Sequence, residues 1–205
     1  MARNENPPFA RGSTYYNGET IDSANLGGLN LEGAEWVFED VHPSTGVKRT
    51  NRPVRCRIVR NTAAIALEGK RLASFEAGAL EYGSRIDGYA LNSAADTPNE
   101  GYVIDEYLPS GGVAVNDLCW IVIEGPSAVL TTVAALPSVF SIGQWAVAAT
   151  GVTSGATTAG RIIPQVFSST AGTLAAQVQN RVGRALSAAT TANTNSSVVL
   201  DIGKW

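Results

Sequence analysis

The chain holds little of what catalysis draws on. It has one histidine, His42, two cysteines, Cys56 and Cys119, and one methionine in 205 residues. A His/Cys zinc site would need heavy carboxylate help from so small a set, and neither a metal nor a cofactor is expected. Each cysteine is flanked by strand-like residues, Val54-Arg55-Cys56-Arg57-Ile58 and Leu118-Cys119-Trp120-Ile121. They read as buried thiols rather than a disulfide framework. Charged residues make up 16%, with 3 lysines among the 15 cations, against about 25% charged in an ordinary globular chain. No apolar run approaches the ~18 residues that span a bilayer, so no membrane contact is expected. Residues 1–13 lack the apolar core of a secretory signal. The protein is therefore expected to act, or to be assembled, in the cytoplasm of the cell that makes it.

Hydrophobic residues reach 44%, which excludes a mostly disordered chain. The length suits one domain or two small ones. The 21 glycines, with abundant Ala, Ser and Thr, point to a turn-rich β protein. A formal net charge of −3 offers no global argument for nucleic-acid binding. The charges are unevenly placed, however. Residues 1–47 are net −5, residues 48–60 net +6, residues 61–124 net −7 and residues 125–205 net +3. The basic run carries Lys48, Arg49, Arg52, Arg55, Arg57 and Arg60 with no anion. Two readings stand: a contact surface for an acidic partner, or arginines paired with the chain's own carboxylates or with a neighbouring subunit's. Arg55 and Arg57 alternate with Val54, Cys56 and Ile58, which puts both on one strand face. No aromatic residue lies between the arginines, so no base-stacking platform is indicated. Arginine's planar fork suits carboxylate pairing at an interface.

Three segments follow from texture. Residues 1–53 read as an extended N-terminal arm, broken by Pro7-Pro8, Asn17-Gly18, Gly27-Gly28, Pro43 and Pro53, with no helical period. Its Phe9, Tyr15, Tyr16, Trp36 and Phe38 are costly to leave in water, at roughly 1.5–3 kcal/mol each. The arm therefore lies across another surface or caps this chain's own core. Residues 54–132 read as a β module with strands at 54–59, 71–75, 85–91, 101–107 and 118–124, bounded by Gly, Pro, Asn or Asp. Trp120-Ile121-Val122-Ile123 is its central strand. Residues 133–205 read as a second β module, or as completion of the first, with strands at 144–149, 161–167, 181–188 and 197–203. A short helix fits within 172–180. The fold class is mostly β: one or two small antiparallel barrels or sandwiches behind an arm. A strand running to Gly203 places the terminal Trp205 at a subunit or domain contact. An internal duplication is also visible, in which Gly69-x-x-Leu72-Ala73 then Gly83-Ser84-Arg85-Ile86 parallels Gly143-x-x-Ala146-Val147 then Gly160-Arg161-Ile162.

Enzyme chemistry finds no foothold in the pattern. Asp40, His42 and Ser44 could form a triad only if one face presented all three, and Pro43 between His and Ser fits a turn better. Asp105-Glu106 and Glu39-Asp40 are adjacent pairs, which on a strand point to opposite faces. Asp105, Asp117 and Glu124 could converge on a hard cation, but their spacing matches no calcium loop.

From Ala66 onward the run LEGKRLASFEAG, YGSRIDGYAL, GYVIDEYLPSGGVAVNDLCWIVIEGPSAVLTT resembles the β modules of tailed-bacteriophage head decoration proteins, also called cement or head-stabilisation proteins. Gly155–Ile162 and Asn180–Trp205 are similar to C-terminal parts of phage virion structural proteins. The resemblance spans about residues 66–205 and implies a non-enzymatic virion protein on the outer capsid surface. Such a protein cross-links neighbouring capsomers by binding the major capsid protein, often as a homo-oligomeric trimer, without touching nucleic acid. It implies capsid or subunit contacts through the arm, at Phe9, Tyr15, Tyr16, Trp36 and Phe38. Arg49, Arg52, Arg55, Arg57 and Arg60 would form an electrostatic seam, with Trp205 at the C-terminus. The alternative is a carbohydrate- or receptor-binding β module of a head fibre, with Tyr15, Tyr16, Trp36 or Tyr107 as sugar platforms.

Overall fold

The computed structural model describes residues 11–12, 31–42, 44–76, 83–90, 102–132, 139–149, 159–165, 181–189 and 196–203. Ten strands are present: β1 (Glu35–Val41), β2 (Lys48–Asn61), β3 (Leu72–Phe75), β4 (Arg85–Tyr89), β5 (Tyr102–Ile104), β6 (Leu118–Leu130), β7 (Trp145–Ala148), β8 (Ile162–Pro164), β9 (Arg181–Ala185) and β10 (Ser197–Ile202). The mostly-β expectation holds, and no helix occurs among the described residues. The 172–180 segment, which suits a short helix by sequence, lies outside them.

The strands form one sheet in the order β1-β2-β4-β3-β5-β6-β10-β9-β7-β8, and β2 also pairs with β6. That extra pairing closes β2, β4, β3, β5 and β6 into a five-stranded ring. Closure removes free sheet edges and creates an interior. Each strand contributes to it: Val59, Ala73, Ile86, Ile104, Cys119 and Ile121 form one buried apolar cluster. The alternation of each strand places these residues inward while their neighbours face out. The outward neighbours of β2 and β6, Cys56, Ile58, Trp120 and Val122, are buried too, in a second cluster shared with β7 to β10. β6 is thus covered on both faces over most of its 13 residues, which explains its nearly unbroken apolar sequence.

The second half repeats the first. β8, β7, β9 and β10 pair in the same antiparallel order as β4, β3, β5 and β6. The far end of β6 takes the part that β2 plays in the first ring: it pairs antiparallel with β10 and meets β8 in parallel at Thr131↔Ile162. The registers match pair for pair. Val59↔Cys119 becomes Val129↔Val198. Asn61↔Ile86 becomes Thr131↔Ile162. Ala73↔Tyr102 becomes Ala146↔Gly183, and Ile104↔Ile121 becomes Ala185↔Leu200. Closing hydrogen bonds recur as well, Thr62 N to Ile86 O at 2.9 Å and Thr132 N to Ile162 O at 3.0 Å. The duplication read from the sequence is therefore structural. Arg85-Ile86 and Arg161-Ile162 correspond as the sequence suggested. Gly143 corresponds instead to Lys70, one position from Gly69: Lys70 N donates to Ile104 O and Gly143 N to Ala185 O. Both hold positive φ, +63° at Lys70 and +83° at Gly143.

Two expected boundaries move. The 53/54 boundary falls inside β2, whose first half pairs with β1 (Glu39↔Pro53, Val41↔Lys48). Residues 35–53 therefore belong to the β body and not to an extended arm. The polar run Lys48–Pro53 hid the first half of β2, because its stability comes from cross-strand pairing rather than local propensity. The 132/133 boundary falls after the second ring has begun, since β6 runs on through Gly125-Pro126, which the composition suggests as a turn. There Gly125 has φ +98°, and a Cβ on it would lie 2.3 Å from Pro53 O. Only glycine lets β6 pass so close to β2 as it leaves one ring for the next.

Gly125→Ala should lower stability by about 3 kcal/mol, combining left-handed strain with overpacking against backbone, as read from urea unfolding. Lys70→Gly should raise stability by about 0.5–1 kcal/mol, since it relieves the left-handed residue that the second ring already fills with glycine. A decrease there would show that the Lys70 side chain contributes more than its backbone costs.

Candidate interaction surface

The arginines of β2 turn out to be tied within the chain. Arg49 donates from Nη2 to Asp40 Oδ1 at 2.7 Å and to Glu106 Oε1 at 2.8 Å. Arg52 pairs with Asp201 of β10. Arg55 reaches Glu35 at 2.5 Å and Glu124 at 3.9 Å. Arg57 donates to Glu35 at 2.6 Å and to Gly83 O at 3.1 Å. Arg60 pairs with Glu32 and donates to Asn116 O at 3.1 Å. Of the two readings of the basic run, pairing with the chain's own carboxylates is the one the geometry realises. Hydrogen bonds from Arg57 and then Arg55 hold the Glu35 carboxyl below its ordinary range, against the opposing effect of its partial burial. The seam of Arg49, Arg52, Arg55, Arg57 and Arg60 thus joins β1, β2, β6 and β10 to one another.

Of the aromatic residues assigned to the arm, Trp36 and Phe38 share the inner face of β1 and pack on this chain's own core. Phe38 meets Trp120 edge to face, with centroids 5.1 Å apart. They cap the core, one of the two readings left open. Phe9, Tyr15, Tyr16 and Trp205 lie outside the described residues.

A buried charge cluster, which the sequence did not announce, holds Arg11-Gly12 against the turn after β5. The Arg11 guanidinium lies 3.4 Å from both Asp105 and Glu106, and all three side chains are buried. Gly12 N donates to Asp105 Oδ2 at 2.5 Å and Tyr107 N to Asp105 Oδ1 at 3.1 Å. Arg11 also lies 5.0 Å over the Tyr107 ring. Arg49 links Glu106 onward to the fully buried Asp40, which also accepts from Thr50 Oγ1 at 2.8 Å. Adjacent carboxylates on a strand would diverge, but β5 ends at Ile104, so Asp105 and Glu106 both turn inward. Burial raises the Asp105 pKa while Arg11 and the two backbone N–H groups pull it down. The net acid excess of residues 61–124 beside a basic run was the one signal for this cluster.

The residues considered for catalysis and metal binding do not assemble into a reactive site. Asp40 faces Arg49, whereas His42 Nδ1 accepts from Ser44 N at 3.3 Å and its ring packs on Tyr107, so Asp40, His42 and Ser44 do not form a relay. No group of three or more His, Cys, Asp or Glu side chains that could hold a metal occurs among the described residues. Cys56 and Cys119 are free, buried thiols. Burial pushes Cys56 up to about 12 and Cys119 further still.

No protein-family model matches the chain, and no curated protein matches it significantly. Among solved structures, the N-terminal base of head fibre protein gp8.5 of bacteriophage phi29 is similar at a TM-score of 0.40 and 15% identity, covering 72% of this chain and 92% of that one. A likeness of that size carries no argument about function.

Arg11→Met should cost about 3 kcal/mol, because it leaves the buried Asp105 without its cation and Glu106 with Arg49 alone. The figure sits at the low end of such losses, since two backbone N–H groups still donate to Asp105 and Arg49 still donates to Glu106. Urea unfolding measures it. A loss below about 0.5 kcal/mol would mean that the cluster is already solvated.

Proposed function

We propose that the protein is a non-enzymatic virion structural protein that binds the outer surface of a tailed-phage capsid and stabilises it by bridging neighbouring capsomers. The resemblance of residues 66–205 to head decoration modules supports this reading. One structural observation carries it further: the chain's ion pairs tie segments that are far apart in sequence. Arg52 holds Asp201 across 149 positions and Arg11 holds Glu106 across 95. Closed rings cross-tied in this way resist tension, because no strand of a ring can peel away without opening it. Partly buried Arg–carboxylate forks add directional ties that outlast exposed ones. The partner in this reading is the major capsid protein, with a homo-oligomer, a trimer favoured, as the bound form. The site of action is the virion surface, with assembly in the host cytoplasm.

The head-fibre alternative, a carbohydrate- or receptor-binding module, needs exposed aromatic faces. Trp36 packs on the core and Tyr107 lies under Arg11, so neither offers a clear sugar platform. Tyr15 and Tyr16, the other two candidates, lie outside the described residues, and the head-fibre reading stands beside the capsid-stabilising one.

The deciding measurement is particle association. Density-gradient-purified virions from the source should carry this chain at a fixed ratio to the major capsid protein. Particles lacking it should release DNA at lower temperature and regain the wild-type threshold when the pure protein is added back. Absence from purified particles, or no shift in DNA release, would overturn the reading. Removing residues 1–10 tests the arm without disturbing Arg11, β1 or β2.

A further inference from the structure

Each arginine described from Arg11 to Arg85 has a carboxylate within 4.0 Å. Arg181 and Arg184 on β9 differ. Their guanidinium carbons lie 4.7 Å and 4.6 Å from the centroid of one indole, that of Trp145 on β7. Among the described residues, neither has a carboxylate within ion-pair distance.

The backbone arranges this convergence. Residues three apart on a regular strand face opposite sides. Here the β7–β9 register runs Trp145↔Arg184, Ala146↔Gly183 and then Val147↔Arg181, so Val182 is an extra residue. The bulge restores parity and puts Arg181, Arg184 and Trp145 on one outer face of the second ring. Bulges that re-aim side chains in this way recur beside functional sites. Two positive charges held on one ring repel each other, and anions paired with them relieve that repulsion. Asp201, directly across from Arg184 on β10, is engaged by Arg52. Among the described residues, Arg181 donates Nε to Gln165 Oε1 at 2.9 Å. Arg184 is exposed, and Trp145 and Arg181 are half-buried.

We propose that Arg181, Arg184 and Trp145 form a docking site for an acidic polypeptide segment of a protein partner, whose side-chain carboxylates pair with the two guanidiniums. Guanidinium forks bind carboxylates bidentately, and stacking on the indole fixes their planes before binding. Carboxylate is favoured over nucleic acid because the guanidiniums occupy the indole, so no base can stack there. The proposal goes beyond the virion reading and does not rest on it.

The test uses the full chain and a fluorescein-labelled hexaglutamate peptide, followed by anisotropy at low and physiological salt. Saturable, salt-weakened binding is expected, with at least a tenfold loss of affinity in the R181Q/R184Q double variant and an unchanged melting temperature. R184Q alone, at an exposed position, should give a smaller loss and serves if the double variant fails to fold. A hexathymidine oligonucleotide should bind at least tenfold more weakly than the peptide. The proposal is overturned if the peptide does not bind, if the folded variants bind it as the wild type does, or if the oligonucleotide binds as tightly through the same arginines.

Discussion

The architecture depends on one strand, β6. Its first half closes the first ring against β2 and β5, and its second half opens the next ring against β10. One continuous backbone therefore passes hydrogen bonding from one closed body to the other, with no linker between them. The cost is steric. β6 must cross β2 where the two strands nearly touch, which is why Gly125 stands there with a backbone conformation that other residues resist. The core layer on the face of β6 that carries fully buried Trp120 joins the first ring to the interior of the second as one apolar mass.

Around that core the chain uses its charges internally. Arginines on β2 reach carboxylates on β1, on β6, on β10 and in the turn after β5, so the basic run that looks like an outward seam works as stitching. Ties of this kind add modestly to stability where they are exposed and more where they are buried and forked. Their chief effect is to hold particular segments in register. The Arg11–Asp105–Glu106–Arg49–Asp40 cluster fixes the start of the described chain to the first ring. The second ring lacks an equivalent abundance of acid, with Asp201 its one carboxylate after Gly125, and its surface arginines gather on Trp145 instead.

Nine of the ten strands were legible from short apolar runs bounded by Gly, Pro and Asn, because burial writes alternation into a sequence. β1 and the first half of β2 were not. Lys48-Arg49-Thr50-Asn51-Arg52-Pro53 has no apolar face, and its strand exists only because β1 pairs with it. The passage of β6 through Gly125-Pro126 was hidden for a related reason. Those residues favour a turn locally, and only the ladder to β10 overrides them. The repeat was legible as Arg85-Ile86 and Arg161-Ile162, but its meaning was not. Matching registers, rather than matching letters, show that the two halves share a plan.

The amino-acid sequence by itself determined the β class, the central place of Trp120-Ile121-Val122-Ile123, the buried character of both cysteines and the scarcity of groups for catalysis. Each of these follows from composition and from period-two burial, which are local properties. Ring closure, the partners of the arginines, the inward turn of Asp105 and Glu106, and the meeting of Arg181 and Arg184 on one indole were decided only in three dimensions. Each depends on which strands lie side by side and on where a single bulged residue shifts the register, and a charge carries no mark of the partner that the fold will bring to it.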